Sequence, residues 1–400
     1  MTAKADQVQR ALSGVRVLAL EASLSGPHCT KMLADMGAEI VKIEKPGTGD
    51  VIRGWDSAVK GLSSGYVWAN TNKKSFAIDV KTQDGAEAVR RLAARSDIFV
   101  ENFAPGVAER LGLGHAALIG LNPRLVYCSI SGYGQDGPYR DVKAYDLLIQ
   151  GEAGIIATTG TADRPAKVGV SMTDLASSMY AAVAILAALH QRETTGKGQF
   201  IDISMFEAAA SWLGYFPHHY WHRGEEPKRL GMRHNYITPY GPYLAGDGVY
   251  VNLAVATESD WRIFCRDVIE RPDLLDDPRF AAPELRRKNR DSLEEMVEAI
   301  FLTHPAAEWI RRLAKAELPH GRINSVGEVL NHPQAKARHF IREIDSPVGP
   351  LPVMGSPLHL SDSPERLDSI PALGEDTDAI LRDLGYGNDD IARFKKDGVI

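Results

Sequence analysis

Apolar and polar positions follow two rhythms along the first half of the chain. Runs of strand length recur over residues 15–20, 38–44, 75–80, 97–103, 125–131 and 199–205. Between them lie stretches with apolar residues at helical spacing, over about 27–36 and 82–96, and a long one from Asp174 to about Glu193. The two periods predict strands and helices respectively. Their alternation predicts parallel βαβ units, hence an α/β fold with a Rossmann-like layer. The texture changes near His218. Residues 218–242 are rich in His, Arg, Pro and aromatics, and short strands then mix with amphipathic helices over 292–305 and 306–317. The expected organisation is a large Rossmann-like domain over 1–217, a smaller α+β domain over 218–331, and a C-terminal segment, 332–400, ending in a helical tail.

With 400 residues the chain is long enough for two cores. Net charge is −6 with both signs mixed, which gives no electrostatic case for a nucleic-acid partner. Cys29, Cys128 and Cys265 are far apart, odd in number and form no CxxC pair, so a reduced, cytoplasmic protein is expected. The first 14 residues are polar and show no secretory signal. The longest apolar run, 180–189, is too short for a bilayer and reads as a buried helix, so no membrane partner is expected.

The default α/β chemistry is dinucleotide binding, which needs GxGxxG at the first strand-to-helix turn. That turn reads EASLSGPHCTKM, with the single glycine Gly26. A serine hydrolase needs GxSxG, and the nearest stretch, GVSMT over 169–173, lacks the second glycine. His218, His219 and His222 include an i, i+4 pair, but no acidic or Cys ligand nearby completes a metal site.

Asp174 is the carboxylate that stands out, because it opens the longest apolar helix. As a plain helix-start residue it stabilises by about 1 kcal/mol. A carboxylate there is also expected to stay ionised and rigid, fit to attack a thioester and form an anhydride. Asn102, Phe103 and Arg110 follow a strand at its carboxyl end, where open α/β sheets bind ligands. Lys73, Lys74 and Lys81 cluster around one strand, a pattern that usually marks a solvated face.

Taken together, several strings resemble the family III CoA-transferases (the CaiB/BaiF family, which includes formyl-CoA transferase) over nearly the whole length. They include GVRVLALEASLSGPHCTKMLADMGAEIVKIEKPGTGD, VENFAPGVAERLGL, LNPRLVYCSISGYGQDGPY, KAYDLLIQGEAG, VSMTDLASSMYAAVAILAAL and LGEDTDAIL, in family order. The resemblance implies an interlocked homodimer in which the large domain takes both chain ends. It implies that Asp174 is the catalytic nucleophile, passing through an aspartyl anhydride and an aspartyl-CoA thioester. Coenzyme A enters as a substrate, with no metal and no permanently bound cofactor. By motif, the CoA contacts fall on Lys45, Ile78, Lys81, Asn102, Phe103, Arg110, Lys143 and Tyr145.

Leu24 stands where formyl-CoA transferases carry glutamine, which points away from formyl-CoA and oxalate. The strings LALEAS and RPAKVGVSMTD are similar to the branch acting on C4–C5 dicarboxylates of the mesaconate, itaconate, succinate and malate type. The partners implied are thus an acyl-CoA and a free carboxylic acid. A dicarboxylate needs a cation for its distal group, and Arg53, Arg233 and His234 are the candidates. Two rival readings are a 2-methylacyl-CoA racemase and a non-catalytic CoA-binding protein. The racemases carry histidine where this chain has Tyr145, and tyrosine is a poor proton shuttle near neutral pH.

Overall fold

The computed structural model describes residues 9–400. Part of the polar N-terminal stretch, residues 1–8, lies outside the described residues. The six apolar runs form β1 (Arg16–Leu20), β2 (Glu39–Glu44), β3 (Lys73–Ala77), β4 (Ile98–Glu101), β5 (Val126–Ser131) and β6 (Phe200–Ser204). They pair in parallel in the order β3-β2-β1-β4-β5-β6. Side chains alternate across a strand. Val17 and Ala19 therefore join one buried cluster, while Leu18 and Leu20 join another on the opposite face. Parallel strands covered on both faces read as near-continuous apolar runs, which is why these were visible.

The helices that matter for the site are α1 (Ser25–Asp35), α2 (Gln83–Ala93), α3 (Val107–Arg110), α4 (Asp146–Glu152), α5 (Met172–Thr195) and α6 (Met205–Ser211). Thr82 caps α2, its hydroxyl accepting the Gly85 N–H at 3.0 Å. α5 stops at Gly196, whose φ of +70° suits glycine and whose N–H reaches the Arg192 carbonyl at 2.8 Å. By length and composition α5 could cross a membrane, but 56% of its most apolar window is buried within the protein. It packs against α1, α6 and β5 as a core helix.

The chain divides into two compact units. The first runs to Ile155, resumes over Val168–Gly214 and again over Pro333–Ile400; the second comprises Ile156–Lys167 and Tyr215–His332. The excursion over 156–167 was not expected from sequence. Its cause is local bonding: Arg229 donates to the Thr161 and Ala162 carbonyls at 3.0 Å, and Gly231 N–H to the Gly160 carbonyl at 2.7 Å. The second unit is built on the antiparallel strands Tyr240–Leu244, Tyr250–Ala254 and His320–Arg322. Its core gathers Tyr243, Trp261, Phe264, Phe301 and Trp309. In the first unit, the C-terminal segment covers the edge of β3. Ser75 N–H donates to Asp376, Ala77 N–H to Thr377 and Asp79 N–H to the Val399 carbonyl, at 2.9, 2.9 and 2.7 Å.

Strand order reverses between β1 and β4, and beneath this point lies a cluster of charges. Lys42 Nζ stands 2.8 Å from Asp50 and 3.4 Å from Glu21, and Lys73 Nζ stands 2.8 Å from Glu21. All four side chains are fully buried. Lys73 is thus no part of a solvated face, because β3 turns it inward onto Glu21, the Pro27 carbonyl and Asn70. Burial alone would raise the Glu21 carboxyl, but Lys73 and Lys42 hold it below the usual range. Two carboxylates balance two ammonium groups, so removing one leaves an unpaired buried charge. Lys73→Met is expected to cost about 3–5 kcal/mol. Adding Glu21→Gln should return part of that loss, so that the double variant is more stable than the two single effects summed. Urea midpoints at one protein concentration check both, and strict additivity would contradict the pairing.

Candidate active site

At the carboxyl edge of the sheet two cavities adjoin. One, of about 300 Å³, lies over β1, β2 and β3 and is lined by Ile43, Lys45, Asp50, Ile78, Lys81 and Phe103, among others. The second, of about 470 Å³, is lined by residues that include Leu24, Asn102, Arg140, Lys143, Tyr145, Asp146 and Asp174. Ala22 and Phe103 belong to both walls. The position follows from topology, since the loops after β1 and β4 diverge where the strand order reverses. The smaller cavity is largely apolar and carries Lys45 and Lys81 beside the acidic Glu44, Asp50 and Asp79, and the larger carries Arg140 and Lys143 beside Asp146 and Asp174.

Asp174 sits in the first turn of α5, whose N-cap is Ser171. Its carboxylate makes no side-chain hydrogen bond among the described residues, whereas its neighbours are tied. Asp146 accepts from the Thr173 N–H at 2.9 Å, the Thr173 hydroxyl at 3.0 Å and Gln150 at 2.8 Å. Burial pushes the Asp174 carboxyl up to about 7, and the carboxylate of Asp146 adds to the rise. This corrects the expectation of a fully ionised group. The helix N-terminus does not offset desolvation beside a second carboxylate, so the free site titrates near neutrality. Small residues follow, with Ala176, Ser177 and Ser178 buried beneath it. Ser178 donates its hydroxyl to the Ser25 carbonyl at 2.7 Å, tying α5 to α1.

Of the eight CoA contacts expected from sequence, Arg110 lines neither cavity and the other seven divide between them. Lys45, Ile78 and Lys81 line the smaller one, Asn102, Lys143 and Tyr145 the larger, and Phe103 both. Ile78 and Lys81 lie just past β3, which ends at Ala77, three residues earlier than the sequence pattern suggested. Asn102 is spent on structure. Its amide accepts from Ala22 N–H at 2.9 Å and donates to the Ala22 carbonyl at 2.8 Å and to Ser25 at 3.0 Å. Gly26 permits this approach, because a Cβ there would fall 3.0 Å from Asn102 Cγ. Arg110 is exposed, and its Nη1 comes within 3.0 Å of where a Gly106 Cβ would stand.

Of the substrate candidates, Leu24 is buried in the wall of the larger cavity. Arg53 forms a two-pronged pair with Glu44, both contacts 2.8 Å, and lies over the Tyr66 ring. It lines neither cavity. Arg233 and His234 belong to the second unit. Arg233 pairs with Glu298 at 2.6 Å and Glu294 at 3.3 Å and donates to the Pro242 carbonyl at 2.7 Å. His234 Nδ1 accepts the Tyr236 and Ile237 N–H groups at 3.2 and 3.1 Å, and its ring stacks on Tyr240. All three side chains are thus committed to partners within their own unit, and His234, whose pKa burial lowers, is a neutral acceptor rather than a cation. Arg140, in the larger cavity's wall, was missed. Its signal was position alone, three residues before Lys143 in the segment PYRDVKAYD.

The raised carboxyl carries a stability consequence. A carboxyl lifted in the folded state contributes stability that is present below its unfolded value, 3.8, and lost as pH rises through about 7. Asp174→Asn removes this loss. The variant is therefore expected to gain on the order of 2 kcal/mol over the wild type between pH 4 and pH 8. Parallel denaturation curves at the two pH values test it, and a gap that does not widen would refute the assignment.

Comparison with known proteins now bears on this geometry. The family model described as CoA-transferase family III matches residues 12–377. The chain is 35% identical over 394 residues to the succinyl-CoA:glutarate CoA-transferase of Mus musculus, covering 97% of this chain and 90% of that one. It is 35% identical over 375 residues to the acetyl-CoA:oxalate CoA-transferase of Acetobacter aceti, covering 93% and 95%. Among solved structures, a CAIB/BAIF family protein from Brucella suis superposes with a TM-score of 0.84 at 35% identity, over 94% of this chain and all of that one. A six-stranded parallel sheet, a paired cavity at its switch point and these matches lead to one conclusion: the chain belongs to the family III CoA-transferases and is an enzyme of that type.

Proposed function

We propose that this enzyme moves CoA between small dicarboxylic acids through covalent intermediates on Asp174. The observation that carries the reading is Asp174 itself, a part-buried carboxylate with no side-chain hydrogen bond among the described residues, on the wall of a cavity that adjoins a largely apolar slot. In this reading the nucleotide half of CoA occupies the smaller cavity, between Ile78 and Phe103, with Lys45 and Lys81 toward its phosphates. The thioester end reaches the larger cavity past Lys143 and Tyr145.

The chemistry then balances without a further reactant. An Asp174 carboxylate oxygen attacks the acyl carbonyl, the C–S bond breaks, and CoA thiolate leaves a mixed anhydride. The thiolate attacks the aspartyl carbonyl carbon and releases the donor acid, leaving an aspartyl-CoA thioester. The acceptor carboxylate attacks that thioester, giving a second anhydride and thiolate. The thiolate then takes the new acyl group and frees Asp174. The first attack needs Asp174 ionised, so the free enzyme's rate is expected to rise with pH through about 7.

Relatives named for glutarate and oxalate support a dicarboxylate class. With Arg53, Arg233 and His234 engaged elsewhere, we assign the distal carboxylate to Arg140, a cation on the cavity wall. A second copy of this chain is the proposed cover for the exposed apolar face of Leu147 and Leu148 on α4, Met179, Tyr180 and Val183 on α5, and Trp212 after α6. The three free cysteines are buried, in keeping with a cytoplasmic setting.

Incubation with succinyl-CoA and a panel of acids tests the activity: glutarate, mesaconate, itaconate, malate, citramalate, oxalate and the monocarboxylate butyrate. New CoA esters and a covalent enzyme adduct are expected by mass spectrometry, both lost in Asp174→Ala. Transfer that survives in that variant would remove Asp174 as nucleophile. Exchange of an α-proton on a 2-methylacyl-CoA without transfer would favour racemisation. Arg140→Gln is expected to raise KM at least tenfold for the dicarboxylate, about the value of one charge-assisted pair, and to leave butyrate little changed. Equal effects on both acids would remove Arg140 from that role. Sedimentation is expected to give twice the chain mass, and a monomer at micromolar concentration would overturn the dimer.

A further inference from the structure

Ser23 lies in the wall of the Asp174 cavity with a backbone φ of +61°, a conformation that serine rarely adopts. Strain of this kind persists only where the surroundings impose it. Here three elements hold the Ala22–Ser25 loop. From the β4 side, Asn102 brackets Ala22 and Ser25. From α5, Ser178 holds the Ser25 carbonyl at 2.7 Å, one turn beyond Asp174. From the β2 side, Asp50 Oδ1 accepts the Ser23 N–H at 3.0 Å.

Asp50 is the member of this set with the most elaborate support. The same oxygen accepts the Ile52 N–H at 3.1 Å. Its other oxygen stands 2.8 Å from Lys42 Nζ, with both side chains fully buried. Its own N–H donates to Glu44 at 3.0 Å, and Glu44 is in turn clamped by Arg53. Asp50 also lines the smaller cavity, so one residue touches the proposed nucleotide slot with its surface and the wall of the reaction chamber with its carboxylate.

We propose that Asp50 is a positioning residue of the transfer reaction: it holds the strained Ser23 backbone, and so the chamber wall, through a carboxylate fixed by buried Lys42. This rests on the reading of Asp174 as the nucleophile. The hold acts on the geometry of attack, where a displacement of about 1 Å can cost a hundredfold in rate. It does not act on the lysines that meet CoA.

Removing Asp50 alone would strand Lys42, so the test uses paired substitutions. Asp50→Ala with Lys42→Met removes the acceptor and leaves Glu21 balanced by Lys73. Asp50→Asn with Lys42→Met keeps an amide oxygen for the Ser23 N–H. In the first pair kcat is expected to fall more than about tenfold, with KM for the acyl-CoA within about threefold. The second pair should recover most of the rate. Equal rates in the two pairs, or a change in KM alone, would overturn the proposal. If the first pair does not fold, Ser23→Val reads the same point, because a β-branched residue resists a positive φ and pulls against Asp50. It is expected to show the same loss in kcat at constant KM, and an unchanged kcat would equally overturn the proposal. Asp174→Ala is run alongside. Transfer surviving in that variant defeats the nucleophile reading, whereas its loss with indifferent Asp50 pairs defeats only this one.

Discussion

The buried quartet of Glu21, Lys42, Lys73 and Asp50 is the constraint from which the site is built. Its members come from the end of β1, the middle of β2, the start of β3 and the loop after β2. Three strands and their crossover are therefore locked in register at the point where the sheet changes direction. Such a cluster contributes little net stability, since each charge is costly to desolvate. What it supplies is fixed direction. Lys73 holds the Pro27 carbonyl in the first turn of α1, and Lys42 orients the Asp50 carboxylate toward Ser23. The β1–α1 turn, usually held by glycines close to a phosphate, is held here by charges beneath it.

The same low polarity that makes this cluster rigid works against Asp174. The proposed nucleophile would need its ionised form, yet burial, with the Asp146 carboxylate adding, pushes the carboxyl up to about 7. The two demands are compatible if the site is meant to be reactive rather than stable. A carboxylate without a hydrogen bond is poorly stabilised, and that lack favours attack on a carbonyl. Asp146, by contrast, is saturated by Thr173 and Gln150. Among the described residues the two neighbouring carboxylates are thus differentiated by their partners, Asp146 anchored and Asp174 without a side-chain hydrogen bond.

The parallel sheet was legible because its strands are buried on both faces and read as apolar runs bounded by turns. The edges were less so: β3 begins at Lys73 rather than Ser75, since a buried, paired lysine is indistinguishable in sequence from a solvated one. Lys45, Ile78, Lys81, Phe103, Lys143 and Tyr145 were placed by motif, and all line one cavity or the other. Arg53, Arg233 and His234 were chosen for charge alone. Charge does not reveal commitment, and each proves bound to a partner that the pattern did not single out, such as Glu44 for Arg53 and Glu294 for Arg233. Ser23 could not be found by pattern at all, because its backbone angle is imposed by side chains from other elements.

In the proposed reading, selection among acids rests on few groups. The larger cavity has apolar walls from Leu24, Ile130, Val142, Leu147 and Met205, and its cationic wall residues are Arg140 and Lys143. A monocarboxylate needs only the reacting end to be accommodated, whereas a dicarboxylate must bring a second charge into this lining. Without a cation at the right distance that charge would be desolvated at a cost of several kcal/mol. In the proposed reading the span from Asp174 to Arg140 sets the length of acid accepted. Leu24, apolar where the resemblance puts a glutamine in formyl-CoA transferases, offers no side-chain hydrogen-bond donor to the larger cavity. In the proposed reading polar recognition of the acid therefore falls to Arg140 and Lys143.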